Sequence, residues 1–319
     1  MVTLAALTVL LLGQDSRIEI IETPKPTAPV VGLLGRVPLC YEEHSYVAGS
    51  MVFRHRTATA FDLHAGTSGA VWVNREGESA TVLRASGVAE YSGDVLLANR
   101  DFAIVEDGGE RELVSSRRAE KIGPNPVWVE GSQLRLTPSG AVFLATYAED
   151  RGFSTLEWKH GAWSELPNTS FPEAAFRPSF VVGDRLVGVL EKYFPIAYGF
   201  GTFTKPPSTE FRNREENTPA VYADGRVKLL GLPDPYQEEY PIGLEIVPII
   251  VKGQNSIWLA TLDFPRYSPP QRTDYFLWQH DGKSWSLLFP KAITEIHYDT
   301  SAGTMLFTDG KKWYRNWKE

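Results

Sequence analysis

A repeated phrase constrains the fold of this chain more than any other feature of its sequence. Residues 139–166 read SGAVFLATYAEDRGFSTLEWKHGAWSEL, and residues 254–288 read QNSIWLATLDFPRYSPPQRTDYFLWQHDGKSWSLL. Both segments hold an apolar run that ends in Leu-Ala-Thr, then a loop, then Trp-Lys-His or Trp-Gln-His, and finally Gly, Trp, Ser and Leu. Self-similarity at an interval of tens of residues is typical of stacked supersecondary units. We therefore expect one small unit to be used several times along the chain.

The repeated unit is predicted to consist of strands. Beyond residue 30 the apolar runs are short, rich in Val, Leu, Trp, Phe and Tyr, and bounded by Gly, Pro, Asn or Asp, which is the pattern of strands. Two-residue turns follow many of these runs, at residues 107–108, 160–161, 224–225, 281–282 and 309–310, with a degenerate copy at Glu76-Gly77. Asp-Gly between apolar strands predicts a β-hairpin, because type I′ turns need positive φ.

The spacing and the residue pattern of the repeat resemble those of a known architecture. From Glu76 to Asp309 the turns are on average about 47 residues apart, with spacings from 28 to 64, and four-stranded propeller blades take roughly 40–50 residues. Over residues 45–317, strand, loop, strand, Asp-Gly and Lys-Ser-Trp-Ser-Leu-Leu resemble the degenerate repeats of bacterial kelch-like, sensor-type and sialidase-like β-propellers. The resemblance implies an all-β chain forming a single β-propeller of six or seven four-stranded blades. Its last strands should pair near the N-terminal ones; a pair of β-sandwich domains is the alternative.

The N-terminal region predicts an exported protein. Met1–Leu12 is a short apolar run that suits the core of a signal peptide and is too short to span a bilayer; a buried strand is the alternative. We expect residues 1–14 to be a signal peptide, residues 15–30 a Pro-rich linker and residues 31–319 the propeller domain. The mature chain is then secreted or periplasmic, without membrane insertion once the leader is removed.

Charge and cysteine content exclude some classes of partner and site. The formal net charge is −7 and no basic stripe is present, so no nucleic-acid partner is expected. Cys40 is the single cysteine, which rules out an internal disulfide and a Cys-rich zinc site. We expect Cys40 to be a small packed hydrophobe, with a reactive thiol beside His44 as the alternative.

The early polar cluster of the chain is expected to protect an exposed strand edge with its charges. Its members are Glu42, Glu43, His44, Arg54, His55, Arg56, Asp62 and His64. A metal or acid–base site built from His44, His55 and His64 with Asp62 is the alternative. We predict no cofactor and no metal.

Two sets of residues recur at matching places in the repeat. Trp158 and Trp163 correspond to Trp278 and Trp285, and large aromatic side chains at repeated positions favour packing between neighbouring sheets over ligand stacking. His160 and His280 also match and are predicted to be turn residues.

The function predicted from the sequence is a binding or scaffold module, because no nucleophile elbow, phosphate loop or His-Glu-x-x-His motif is present. The alternative is a secreted carbohydrate-active enzyme, a glycoside hydrolase or lyase. Phe176-Arg177-Pro178 resembles an arginine motif with which sialidases bind a carboxylate. Asp281-Gly282-Lys283-Ser284-Trp285 resembles the sialidase Asp-box, although its Asp and Gly are adjacent, so it supports a hairpin and not that activity.

Two aromatic connections are the candidate binding loops. Residues 191–222 and 263–273 interrupt successive units between the first strand and the hairpin turn, and equivalent points of stacked units emerge on one face. The predicted ligand-binding residues are Tyr193, Tyr198, Phe200, Arg212, Arg266 and Tyr267. Their rings and guanidinium groups suit an unknown glycan or protein ligand. The alternative is that the longer connection packs as an extra strand pair.

Overall fold

A computed structural model describes residues 18–42, 45–54, 63–66, 70–74, 79–84, 87–98, 102–115, 119–123, 133–148, 152–172, 174–192, 217–234, 244–262, 274–300 and 302–318. Within these ranges every regular element is a strand, and the strands form seven antiparallel sheets of four. No helix among the described residues has the length and apolar character needed to cross a membrane.

Six of the sheets each use four strands that are consecutive in the chain. Sheet 1 contains β2 (Val30–Leu34), β3 (Val37–Glu42), β4 (Ser45–Ala48) and β5 (Met51–Arg54). Sheet 2 contains β6 (Leu63–Gly66), β7 (Ala70–Asn74), β8 (Ser79–Arg84) and β9 (Gly87–Ser92). Sheet 3 contains β10 (Asp94–Ala98), β11 (Phe102–Asp107), β12 (Glu110–Ser115) and β13 (Ala119–Ile122).

The second half of the chain repeats this arrangement with longer strands. Sheet 4 contains β14 (Gln133–Leu136), β15 (Val142–Ala148), β16 (Gly152–Lys159) and β17 (Ala162–Glu165). Sheet 5 contains β18 (Ala174–Val182), β19 (Arg185–Lys192), β20 (Asn217–Ala223) and β21 (Arg226–Leu229). Sheet 6 contains β22 (Leu244–Lys252), β23 (Asn255–Leu262), β24 (Asp274–His280) and β25 (Trp285–Leu287).

Sheet 7 joins the two ends of the chain. It contains β26 (Glu295–Asp299), β27 (Thr304–Thr308), β28 (Trp313–Arg315) and, as its outer strand, β1 (Ile21–Thr23). β1 pairs antiparallel with β28, with Glu22 opposite Tyr314. Three residues of the Pro-rich segment therefore complete the last sheet, and the predicted pairing of the last strands near the N-terminus is confirmed. Such pairing covers the edge of β28 and leaves only a three-residue strand at the edge of the sheet.

The sheets form a ring through their first strands. β2 contacts β6 and β26, β10 contacts β6 and β14, and β18 contacts β14 and β22. A hydrophobic cluster that includes Ile249, Ile250, Met305 and Phe307 joins sheets 6 and 7. The predicted all-β propeller is confirmed, and the sheets number seven among the described residues.

Alternating strand direction gives the ring two faces. We call the face where first strands begin and second strands end the upper face, and the face where first strands turn into second strands the lower face. The turns at Asp107 and Asp309 join second to third strands on the upper face, whereas His160-Gly161 and Asp224-Gly225 join third to fourth strands on the lower face. The turns thus occupy different positions within their blades, which explains their uneven spacing in the sequence.

The predicted two-residue turn is confirmed at His160-Gly161 and Asp224-Gly225. It is wrong elsewhere in the described residues, because Asp107 ends β11 before a Gly108-Gly109 turn and residues 281–284 and 309–312 form four-residue turns.

The tryptophans of the repeat pack between sheets, as predicted. Trp158 and Trp278 are buried. The Nε1–H group of Trp163 donates a hydrogen bond of 3.2 Å to the Gly123 carbonyl oxygen beyond sheet 3, and that of Trp285 donates one of 3.3 Å to the Leu230 carbonyl oxygen beyond sheet 5. The tryptophan at this position of the repeat therefore makes a hydrogen bond to the preceding blade at two places in the ring.

Candidate functional site

The two long connections predicted to bind ligand occupy equivalent places in the fold. Residues 193–216 lie between β19 and β20, and residues 263–273 lie between β23 and β24. Both links join the second strand of a sheet to its third, and sheets 5 and 6 are adjacent in the ring. The four strand ends that carry them, at residues 192, 217, 262 and 274, therefore all belong to the upper face.

The predicted ligand-binding residues lie within these connections. Tyr193, Tyr198, Phe200, Arg212, Arg266 and Tyr267 fall outside the described residues, and they stay predictions. The alternative in which residues 193–216 add a strand pair falls on the same segment.

A buried ion pair lies at the base of the longer connection. Arg177 on the first strand of sheet 5 is 4% exposed, and its Nη1 atom lies 2.5 Å from Oε2 of Glu191 on the second strand. Glu191 is opposite Asn217, the first residue of β20. The pair therefore joins the first two strands of the sheet, beside the strand ends where residues 193–216 begin and end.

Local sequence explains why Arg177 turns inward at this point. The register between β18 and β19 shifts between Pro178 and Phe180, and Pro is tolerated at such a bulge because it has no N–H to donate to the ladder. Gly188 lies opposite Pro178, and a Cβ atom there would collide with the carbonyl group of Arg177. A bulge with proline on one strand and glycine on the other thus sets the backbone beside Arg177.

A second guanidinium group approaches this pair from sheet 4. The pKa of Arg177 is lowered to about 10, chiefly by burial and also by the positive charge of Arg135, while Glu191 acts in the opposite direction. Burial also lowers the pKa of Arg135, and Glu191 partly offsets that effect. Two arginines and one carboxylate, from the first strands of two blades and the second strand of one, therefore interact at the base of the connection. They form a charged cluster beside the strand ends that residues 193–216 join.

The sequence pointed to Arg177 only weakly. Its arginine–proline motif was the signal, but nothing local linked Arg177 to Glu191 or to Arg135. The strands supply that link, because Glu191 lies two residues diagonally across the ladder from Arg177.

Other candidate residues have structural surroundings. Cys40 packs at the edge of a cluster that contains Val30 and Leu306. Burial, with a smaller effect of Glu42, raises the pKa of the Cys40 thiol, which opposes formation of the reactive thiolate. This agrees with the expected packing role.

The early histidine cluster falls largely outside the described residues. His44, His55 and Asp62 are among those outside, so the site drawn from them stays untested. In the part of the chain that the structure describes, no three His, Cys, Asp or Glu side chains are grouped so as to hold a metal ion.

The two matched histidines differ in their surroundings. His160 is exposed in a turn with φ of 52°, as predicted. His280 is instead the last residue of β24 and is 3% exposed. The turn of sheet 6 is longer, so His280 lies inside the ladder, opposite Trp285. The prediction of a turn role was therefore wrong for His280.

Comparison with known proteins supports the architecture. No protein-family model and no curated protein matches the chain. Among solved structures, the chain is similar to the tricorn protease, with a TM-score of 0.53 and 12% identity over 88% of this chain and 32% of that one. It thus spans about a third of the tricorn protease chain.

Two further structures align with most of the chain. YCF48 bound to D1 peptide aligns with a TM-score of 0.49 and 11% identity over 96% of each chain. The WD40 domain of SCAP from fission yeast aligns with a TM-score of 0.37 and 10% identity over 94% of this chain and 98% of that one. Likeness at such low identity bears on the fold alone, and a propeller scaffold carries binding modules and enzymes alike.

Proposed function

We propose that this chain is a binding module that takes a protein or glycan ligand on its upper face, at sheets 5 and 6. One observation carries the proposal: the two long aromatic connections leave equivalent strand ends of neighbouring blades, on one face of the ring. Binding residues are often found on loops that a rigid scaffold positions. Two such loops on adjacent blades provide a larger surface than either alone.

The composition of the connections supports this choice of ligand. Tyr193, Tyr198, Phe200 and Tyr267 offer faces for stacking on a sugar ring or an apolar side chain. Arg212 and Arg266 offer planar, forked donors for carboxylate or carbonyl oxygens. The ion pair of Arg177 and Glu191 is consistent with the proposal, because it cross-links two strands of the blade from which the longer connection departs.

The proposal is tested with a glycan and peptide array, followed by titration of any ligand found. We expect Tyr198→Ala and Tyr267→Ala each to weaken binding by on the order of 1 kcal/mol or more and to change the free energy of unfolding by less than about 0.5 kcal/mol. Tyr298→Ala is the matched control, because Tyr298 is a 40% exposed tyrosine near the lower-face end of β26. Unfolding of the two variants, or equal loss of binding in the control, would reject the upper-face site.

The same array separates binding from catalysis. Release of shortened sugars from a bound glycan would show that the chain is a carbohydrate-active enzyme and would contradict the proposed binding module. Unchanged recovery of the ligand after prolonged incubation is the expected result.

Export is part of the proposal. We expect residues 1–14 to be removed and the mature chain to be secreted or periplasmic, because the apolar run Met1–Leu12 suits a signal peptide. Sequencing the N-terminus of protein purified from each compartment tests this. Cytoplasmic protein with Met1 intact would reject it.

A further inference from the structure

The lower face holds a cleft between sheets 5 and 6, on the opposite side of the ring from the long connections. Its volume is about 300 Å³. Sheet 5 contributes residues of the turns after β18 and β20, and sheet 6 contributes residues of the turns after β22 and β24. This volume lies at the lower end of the range for small-molecule sites, roughly 300–1,000 Å³.

Two buried polar side chains in the cleft each retain a hydrogen to donate. Ser256 is 4% and His280 is 3% exposed. The Ser256 hydroxyl oxygen accepts a bond of 2.6 Å from Nε1–H of Trp258, which leaves its own hydrogen available. Nδ1 of His280 accepts a bond of 3.0 Å from the Gly282 N–H group, so the neutral ring carries its proton on Nε2. Neither hydrogen has a hydrogen-bond partner among the described residues.

The two donors are neighbours on the same side of the sheet. Ser256 and His280 are directly opposite each other in the antiparallel ladder of β23 and β24, so their side chains project to one face about 5 Å apart at Cβ. Burial lowers the pKa of His280, against a smaller opposite effect of Asp281, which keeps the ring neutral at pH 7. Two adjacent neutral donors match a group with two acceptor oxygens.

The four charged side chains that line the cleft, Asp184, Arg185, Asp224 and Lys228, balance in sign, and Arg185 is the least exposed of them. Arg185 is half-buried and lines the cleft. Of the two aspartates at the rim, Asp224 is already held by Lys228 at 2.8 Å, and Asp184 is exposed. Water screens an exposed charge more strongly than a half-buried one, so Arg185 is the least screened charge of the lining.

Gln254 and Gly282 also line the cleft, and the rest of the lining is aliphatic. Val187 is 2% and Val221 is 8% exposed, and Val251 and Leu230 complete this wall. An occupant therefore needs a short apolar body beside its polar end.

We propose that the cleft between sheets 5 and 6 binds a small aliphatic carboxylate. Its two oxygens accept hydrogen bonds from the Ser256 hydroxyl and from Nε2–H of His280, Arg185 balances the charge, and the hydrocarbon chain packs against Val187 and Val251. This site is independent of the ligand proposed for the upper face.

Isovalerate is the probe, and 3-methylbutan-1-ol is its uncharged counterpart of similar shape. We expect isovalerate to saturate the wild-type protein and to shift the imidazole ¹⁵N resonances of His280, while the alcohol binds at least about tenfold more weakly because it lacks the charge and one acceptor. Absence of saturable isovalerate binding, or equal affinity for the two probes, overturns the proposal without recourse to any variant.

Variants then locate the site. In His280→Asn the amide oxygen takes the place of Nδ1, which keeps the Gly282 bond, but the Nε2–H donor is lost; we expect isovalerate affinity to fall at least about fivefold. His160→Asn changes the exposed histidine of the matching repeat and should bind as the wild type does. Arg185→Met should weaken isovalerate and leave the alcohol unchanged. Equal effects on both probes, or an effect of His160→Asn, overturn the assignment, and Tyr198→Ala should leave isovalerate binding intact.

Discussion

The pair of Arg177 and Glu191 gives the sharpest prediction for the energetics of this fold. Replacing Glu191 with Gln keeps the side-chain shape and removes the negative charge beside a buried guanidinium group. Removing one partner of a buried ion pair costs about 3–5 kcal/mol. The Arg177 side chain is 5% exposed and that of Glu191 is 26% exposed, so water at the carboxylate reduces the loss. We expect Glu191→Gln to lower the free energy of unfolding by about 3 kcal/mol.

A double-mutant cycle separates this effect from lost packing. Arg177→Met removes the buried charge, so Glu191→Gln should cost clearly less in that background than in the wild type, with a coupling energy of about 1–3 kcal/mol. Guanidinium chloride denaturation of the full chain, followed by tryptophan fluorescence, measures all four proteins. Glu110→Gln is the matched control, because Glu110 pairs with Lys121 at 2.6 Å with both side chains largely exposed. We expect almost no change there, since exposed pairs contribute little.

Two results would refute this reasoning. One is a loss below about 1 kcal/mol for Glu191→Gln, which is the range of surface pairs. The other is full additivity in the cycle, which would mean that Arg177 and Glu191 have no interaction energy.

Three further predictions concern contacts within and between the sheets of the ring. Trp163→Phe and Trp285→Phe should each cost about 1 kcal/mol of unfolding free energy, because each removes one hydrogen bond between blades; unchanged denaturation midpoints would contradict this. Lys291 and neighbouring backbone N–H groups hold the pKa of Asp309 well below its usual value of 3.8, so its carboxylate stabilises the fold above about pH 4 and loses this effect as the pH falls further. Asp309→Asn should therefore be less stable than the wild type at pH 7, with the difference shrinking below pH 4 in urea titrations; a constant difference would refute it. Deleting residues 18–23 removes β1 and opens the edge of β28, so the melting temperature should fall and size-exclusion chromatography should show aggregates, whereas a monomer with unchanged melting would show that the ring closes without β1.

The candidate sites differ in how far local sequence indicated them. The aromatic connections interrupt a regular repeat, and such an interruption can be recognised in the sequence itself. The cleft on the lower face was not visible in this way. His280 looked like its repeat partner His160, and only the pairing of β23 with β24 places it opposite Ser256, where the two form a pair of donors. Matching residues in two copies of the repeat therefore do not have the same structural surroundings.

The sequence by itself determined the all-β class, the hairpins and the inter-blade role of the tryptophans. These depend on short-range physics: His160-Gly161 and Asp224-Gly225 adopt positive φ in two-residue turns, and apolar runs of strand length must be buried. Tertiary structure alone decided how the strands are shared among seven sheets, since the turns at Asp107 and at Asp224 occupy different places in their blades. It also decided the closure of the ring by β1 and the meeting of Arg177 with Glu191 and Arg135. Those contacts join residues far apart in the chain, and their geometry follows from the packing of whole sheets, which no local pattern encodes.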